Sequence, residues 1–194
     1  MLQDQRDFIT VVTGLPRTGT SMMMRMVEAG GVPVMTDGVR EADEDNPRGY
    51  YEFEAVKKTH EDSSWIQAAK GKAVKLVYRL LYDLPCGQTY RLLFMRRKLS
   101  EVLASQDAML ERLNNEQAGK MDPAQFKELF SQELAKIDRW LDEQPNMTKL
   151  DIDYNAMIQN PTPQVEAINH FLDGGLDTAA MNQVVEPALH RQRR

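Results

Sequence analysis

The chain has 194 residues with 24 Lys and Arg against 29 Asp and Glu, and its net charge of -5 argues against a general nucleic-acid binder. Hydrophobic residues at 42% and charged residues at 27% are ordinary globular values, which exclude a disordered or fibrous chain. No run approaches the roughly 18 apolar residues of a membrane span, and the N-terminus lacks a signal-peptide pattern. The single cysteine, Cys86, excludes an internal disulfide, so we expect a reducing, cytoplasmic setting. The length fits one domain over residues 1–194.

The predicted elements begin with a strand, turn and helix. Residues 8–13 are a continuous apolar and β-branched run, suited to a strand buried on both faces. A turn over residues 14–20 leads into a predicted helix at 21–29, which Gly30 and Gly31 close. Further strands are predicted at 73–78 and 91–95.

Helical periodicity dominates the second half of the chain. Two long amphipathic helices are predicted, followed by a strand at 149–153 and helices near 163–172 and 178–185. Strands that alternate with helices indicate an α/β fold with a mostly parallel sheet. The apolar faces of the two long helices are Leu99, Val102, Leu103, Leu110 and Leu113, and Phe126, Phe130, Leu134, Ile137 and Leu141.

The charges are unevenly distributed along the chain. Residues 37–62 contain nine acids and four bases, so they carry the whole negative excess. Residues 70–98 contain eight bases and one acid, Asp83. This polarity indicates a small anionic ligand near the basic block rather than a nucleic-acid polymer.

The most informative segment is the turn, Gly14-Leu15-Pro16-Arg17-Thr18-Gly19-Thr20-Ser21. A buried strand that runs through such a turn into a helix directs backbone N–H groups and the positive end of the helix dipole at one point, where an anion can bind. The glycine spacing is that of the nucleotide-binding P-loop, except that Thr20 occupies the lysine position. The missing lysine argues against ATP chemistry.

Residues 16–21 resemble the 5′-phosphosulfate loop of the sulfotransferases, which has a cation in the second position, as Arg17 is here. These enzymes hold the 3′-phosphate of their donor with an Arg at a strand end and a Ser eight residues later, and Arg97 and Ser105 have that spacing. The adjacent Arg96 is the competing candidate. Two helical turns bring such side chains to the same phosphate.

Two further stretches are similar to the compact bacterial branch of this family. Asn46 to Glu52 resembles its acceptor-side loop, and residues 151–161, 171–172 and 185–189 resemble its C-terminal third, so the resemblance covers roughly residues 8–194. It implies a P-loop-type three-layer fold with a central, mostly parallel sheet flanked by helices. It also implies the donor 3′-phosphoadenosine 5′-phosphosulfate (PAPS), the product PAP, and no metal requirement.

The resemblance implies roles for the loop and for the basic block. Arg17 is expected to contact the 5′-phosphate and the bridging oxygen, where negative charge grows as the bond to sulfur breaks. Arg97 and Ser105 are expected to bind the 3′-phosphate. Lys75 is a candidate for electrostatic support near the transferring group. The donors expected to hold the 5′-phosphate are Thr18, Gly19, Thr20 and Ser21.

A general base must also remove the proton of the acceptor's hydroxyl or amine group. Cytosolic animal sulfotransferases use a histidine for this, and Val77 occupies its place. Some bacterial relatives instead use a glutamate in a Gly-x-x-Glu-aromatic loop, which Glu52 matches. Glu52 is therefore the candidate catalytic base, with Glu54 and His60 as alternatives.

The sequence predicts transfer of a sulfuryl group from PAPS to a hydroxyl or amine of a small-molecule acceptor. The acidic excess near the candidate base favours a neutral or cationic acceptor. The alternatives are a P-loop nucleotide kinase and a non-catalytic nucleotide-binding protein that retains the fold. Arg191, Arg193 and Arg194 form a basic C-terminal tail.

Overall fold

The fold is organised around a sheet of four parallel strands, seen in a computed structural model that describes residues 6–39, 49–115, 119 and 121–185. The strand order is β2-β1-β3-β4, so the connection from β2 to β3 crosses β1. The carboxyl ends of β1 and β3 therefore flank the point where the order reverses, the usual ligand position in open α/β sheets. The strands are β1 Ile9–Gly14, β2 Ala73–Lys75, β3 Tyr90–Arg96 and β4 Met147–Asp153.

Helices cover both faces of this sheet. Alternating strand residues supply two cores, because successive side chains point to opposite faces. One core packs against α1, α5, α6 and α7, and the other against α2, α4 and two 3₁₀ turns at Glu54–Lys58 and Tyr78–Asp83. The predicted three-layer α/β fold is confirmed. The α-helices are α1 Thr20–Ala29, α2 Ile66–Ala69, α3 Leu99–Arg112, α4 Pro123–Asp142, α5 Tyr154–Gln159, α6 Thr162–Phe171 and α7 Thr178–Gln183.

Local sequence explains where the main elements begin. All six residues of β1 are buried, as its apolar and β-branched composition predicts for a central parallel strand. α4 begins where the Asp122 carboxylate accepts hydrogen bonds from the N–H groups of Ala124 and Gln125. Pro123 lies at the first helical position, where its missing N–H costs nothing.

The structure differs from the predicted elements in several places, and α2 and the 3₁₀ turn at Glu54–Lys58 are among the elements that were not predicted. β2 ends at Lys75 because the chain then turns into the 3₁₀ segment, where the Tyr78 hydroxyl contacts Glu133 of α4. α5 was not predicted, although Asp153 caps it by accepting from the Ala156 N–H at 3.0 Å. Leu113 lies beyond the end of α3 and is 66% exposed, so its assignment to the buried face of that helix was wrong.

Some predicted features lie outside the described residues. These are residues 46–48 of the proposed acceptor loop, residues 186–189 of the C-terminal motif, and the basic tail. Within the described ranges, none of the helices combines the length and apolar character needed to cross a membrane.

The central strand β3 generates a stability prediction. Leu93 is fully buried in one of the two cores, so Leu93→Ala should lower the free energy of unfolding by about 2 to 5 kcal/mol. Leu129→Ala is the control, because Leu129 is 46% exposed on α4 and should change stability by about 0.5 kcal/mol or less. Urea denaturation measures both variants. Similar losses would contradict the burial of β3 between two helical layers.

Candidate anion-binding and active site

The loop between β1 and α1 has a backbone that few residues other than glycine adopt. Gly14 and Gly19 have φ values of 149° and 93°. A Cβ on Gly14 would lie 2.7 Å from the Met95 carbonyl oxygen, and one on Gly19 would lie 2.5 Å from the Tyr154 ring. Both positions therefore require glycine, because neither the space nor the backbone angle suits a side chain.

This loop leaves the start of α1 open. Gly19 is the N-cap residue, and no side chain caps the helix. The first N–H groups of a helix have no partner within the helix, so they point beyond its end together with the positive end of the dipole. Thr18 turns inward instead, where its hydroxyl donates to the Leu15 carbonyl at 2.7 Å. Thr18 thus shapes the loop, while Thr20 and Ser21 at the helix start are only partly buried.

Arg17 joins the two motifs that the sequence analysis identified separately. Its φ of 70° is left-handed, which is strained for a residue with a side chain. Its Nε donates to Ser105 Oγ at 3.0 Å, and its carbonyl accepts from Arg97 Nη1 at 3.0 Å. The structure therefore brings together the glycine loop, Arg97 and Ser105, as the sequence motifs require.

A buried network surrounds Arg97. Its Nε donates to Glu101 Oε2 at 3.0 Å, and the two side chains are only 7% and 2% exposed. The Arg97 guanidinium carbon lies 4.4 Å from the centre of the Tyr154 ring, close enough for a cation–π contact. Asn155 Nδ2 donates to Glu101 Oε1 at 2.8 Å. Burial raises the pKa of the Tyr154 hydroxyl, although Arg97 acts in the opposite direction.

Glu101, Tyr154 and Asn155 were missed by the sequence analysis. Glu101 has a weak sequence signal, because it lies four residues after Arg97, the spacing of a helical ion pair. Tyr154 and Asn155 have no signal in their local sequence. They reach the loop only because β4 lies beside β3 and ends at the same edge of the sheet.

Arg96, the competing candidate, points away from the loop. Its guanidinium donates to Asp138 of α4 at 2.5 Å and to Asp151 of β4 at 2.7 Å. Although burial opposes the shift, hydrogen bonds from Lys149 and Arg96 lower the pKa of Asp138. Arg96 therefore belongs to an ion-pair network between α4 and the edge strand, and the structure places only Arg97 at the loop.

The expected acceptor side lies next to the start of α1. The Tyr50 carbonyl accepts hydrogen bonds from Ser21 Oγ, at 3.2 Å, and from Lys75 Nζ. The Glu52 carboxylate lies 3.9 Å from Lys75 Nζ and 3.8 Å from Lys57 Nζ, with its side chain 21% exposed. The candidate base is thus partly buried, and it lies beside the lysine that shares the Tyr50 carbonyl with Ser21.

Tyr51 fixes the chain between these two residues. Its φ of 53° is left-handed, and its hydroxyl donates to Glu28 Oε2 of α1 at 2.5 Å. Burial and the Glu28 carboxylate raise the pKa of the Tyr51 hydroxyl to about 12. The hydrogen bond to Glu28 of α1 therefore holds the strained turn at Tyr51 in place. This turn directs the Tyr50 carbonyl and the Glu52 side chain toward Lys75.

The two alternative bases are more exposed to solvent than Glu52. Glu54 is 47% exposed and its carboxylate contacts Lys57 at 2.5 Å, while His60 is exposed in the following turn. The Glu52 carboxylate, in contrast, lies beside Lys75 at the end of β2. Glu52 therefore remains the candidate base, with Glu54 and His60 as alternatives.

The sheet and its glycine loop define an α/β protein with a strand-loop-helix unit whose geometry is typical of anion-binding sites. No protein-family model and no curated protein matches the sequence. Among solved structures, the sulfotransferase domain of the curacin biosynthetic pathway is 15% identical, with a TM-score of 0.52 over 94% of this chain and 79% of that domain. The sulfotransferase domain of the Synechococcus PCC 7002 olefin synthase is 12% identical, with a TM-score of 0.52 over 97% of this chain and 88% of that domain.

A third structure is retinol dehydratase in complex with androsterone and the inactive cofactor PAP. It is 17% identical, with a TM-score of 0.52, over 93% of this chain and 64% of that protein's length. These likenesses confirm the resemblance at the level of the fold. The chain has the α/β fold of the sulfotransferases.

The contact between Gly19 and Tyr154 generates a second prediction. Gly31 also has a left-handed backbone, with φ at 99°, but no atom lies within 4 Å of its added Cβ. Gly31→Ala should therefore cost only the backbone strain, roughly 1 to 2 kcal/mol. Gly19→Ala should cost clearly more, because it adds a clash with the Tyr154 ring. Equal losses in urea denaturation would show that the ring does not constrain the loop.

Proposed function

We propose that this protein is a PAPS-dependent sulfotransferase that acts on a small-molecule acceptor. The observation that carries the proposal is the position of Arg17, whose carbonyl contacts Arg97 and whose side chain contacts Ser105. The motif that contains Arg17 and resembles the 5′-phosphosulfate loop therefore meets the motif that resembles the 3′-phosphate site, whose Arg97 and Ser105 lie 80 and 88 residues from Arg17. The shared fold supports the same interpretation.

The residues at the loop suit the phosphate end of such a donor. Gly14 and Gly19 have no room for a side chain, because Met95 and Tyr154 pack against them, so the loop lies tightly against the ends of β3 and β4. The uncapped start of α1 offers N–H groups, and Arg17 contributes a positive charge. Thr20 and Ser21 place hydroxyl groups at the same helix start. Arg97 and Ser105 are the proposed contacts of the 3′-phosphate.

The donor carries the sulfuryl group on a phosphate, which is the leaving group. The residues of this chain stabilise the charge of the leaving group and remove a proton from the acceptor. Arg17 and the α1 N–H groups stabilise the negative charge that develops on the leaving oxygen. Glu52 accepts the proton of the acceptor's hydroxyl or amine. Lys75 holds the Tyr50 carbonyl and lies beside Glu52, so it links the base to the loop.

We further propose a neutral or cationic acceptor. The described part of the acceptor side includes the carboxylates of Asp37, Glu52 and Glu54, which disfavour an acidic molecule nearby. The proposal is tested by incubating the protein with PAPS and an acceptor library that contains matched compounds of opposite charge. Mass spectrometry should detect an added sulfate group on neutral or cationic members. Turnover of ATP that requires magnesium, without sulfate transfer, would contradict the function.

The assignment of the base generates a third prediction. Glu52→Gln should lower kcat by a factor of roughly 10² to 10⁴. PAP affinity should change little, because Glu52 is not among the proposed phosphate contacts. Glu54→Gln is the matched control, since Glu54 lies two residues away and also contacts Lys57. If both variants kept full activity, Glu52 would not be the base.

The two arginines at the end of β3 generate a fourth prediction. Arg97→Ala should weaken PAP binding by roughly 10- to 100-fold, the loss expected for charge-assisted hydrogen bonds. Binding of adenosine 5′-phosphate, which lacks the 3′-phosphate, should weaken much less. Arg96→Ala should affect neither nucleotide, because Arg96 pairs with Asp138 and Asp151. Calorimetric titration measures both ligands, and equal losses in Arg97→Ala would refute the 3′-phosphate assignment.

A further inference from the structure

Glu101 is an acid buried beneath the glycine loop, and the proposed chemistry gives it no role. Its side chain is 2% exposed, and burial of a carboxylate is costly unless charged or polar partners compensate. Its two oxygens have different partners, because Oε2 accepts from Arg97 and Oε1 accepts from Asn155. Glu101 therefore connects the turn after β3 to the start of α5.

The orientation of Arg97 depends on this carboxylate. With Nε held by Glu101, the Arg97 guanidinium presents Nη1 to the Arg17 carbonyl at 3.0 Å. The Tyr154 ring lies 4.4 Å from the guanidinium carbon and also packs against Gly19. The loop is thereby held at its left-handed Arg17 and at Gly19 by residues from two other strand ends.

Asn155 adds an independent observation. Its Nδ2 donates to Glu101, but its Oδ1 is buried and has no hydrogen-bond partner among the described residues. A buried polar atom without a partner costs stability and calls for an explanation. Asn155 is therefore a poor choice for stability alone, and its contact with Glu101 is the feature that accounts for its position.

We propose that Glu101 and Asn155 are positioning residues for the anion-binding loop, acting through Arg97. Glu101 fixes the guanidinium, which holds Arg17 in its left-handed conformation, and Asn155 fixes the carboxylate. The effect of this network on nucleotide affinity rests on the proposed function. Its effect on the order of the loop does not.

The first experiment measures the loop itself. Hydrogen–deuterium exchange of the peptide that contains residues 14–20 should be at least tenfold faster in Glu101→Gln than in the unmodified protein. Glu133→Gln is the matched control, since Glu133 also pairs with an arginine, Arg79, but far along α4. Unchanged exchange in Glu101→Gln would overturn the proposal, whether or not the protein binds a nucleotide.

A milder variant covers the case in which Glu101→Gln does not fold. Asn155→Ala removes one hydrogen bond together with the unpaired Oδ1, so its melting temperature should be close to that of the unmodified protein. Exchange of the loop should still be several-fold faster. Asn146→Ala is the control, because Asn146 donates a comparable hydrogen bond to Gln88 at 2.9 Å beside the other end of the sheet. If Asn155→Ala and Asn146→Ala gave the same loop exchange, Asn155 would have no positioning role.

The second experiment is a double-mutant cycle with PAP as the probe. Glu101→Gln should weaken PAP binding at least tenfold, whereas the double variant with Arg97→Ala should bind within twofold of Arg97→Ala alone. Such non-additivity is expected only if Glu101 acts through Arg97, because independent effects add. Additive losses would overturn the proposal. If the unmodified protein does not bind PAP, the proposed function fails, and the exchange experiment still decides the positioning role.

Discussion

The hydrogen bond from Arg97 to the Arg17 carbonyl is the contact on which the candidate site depends. It links the turn after β3 to the loop after β1 and supports a residue whose backbone is left-handed. Strained conformations of this kind persist where the surrounding contacts impose them. Around this bond, Glu101 holds the Arg97 side chain, and Ser105 accepts from the Arg17 side chain. Residues at the carboxyl ends of three strands thus determine the shape of the loop.

The same loop also connects the proposed donor side to the proposed acceptor side. Ser21, at the start of α1, donates to the Tyr50 carbonyl, which lies two residues before Glu52. Lys75, at the end of β2, contacts the same carbonyl and lies beside the Glu52 carboxylate. All four strand ends therefore contribute to one region at the carboxyl edge of the sheet, where parallel α/β proteins bind their ligands.

Most of the fold could be predicted from periodicity and composition. The four strands and the long helices were predicted near their observed positions, because buried strands and amphipathic helices have strong patterns. α5 was missed because six residues are too few for a clear helical period, although Asp153 is a recognisable cap. The end of β2 at Lys75 was also missed, since the residues after it, Leu76 to Tyr78, are as apolar as the strand itself.

The sequence alone determined the loop chemistry: two glycines with a cation between them, and an Arg and a Ser eight residues apart. It favoured Arg97 over Arg96 on the spacing to Ser105, although both lie at the end of the same strand. The tertiary structure separates the two side chains, because it places Asp138 and Asp151 beside Arg96 and Glu101 beside Arg97. It also brought Tyr154 to the loop and Asn155 to Glu101, since contacts between residues distant in sequence follow from strand order, which local patterns do not encode.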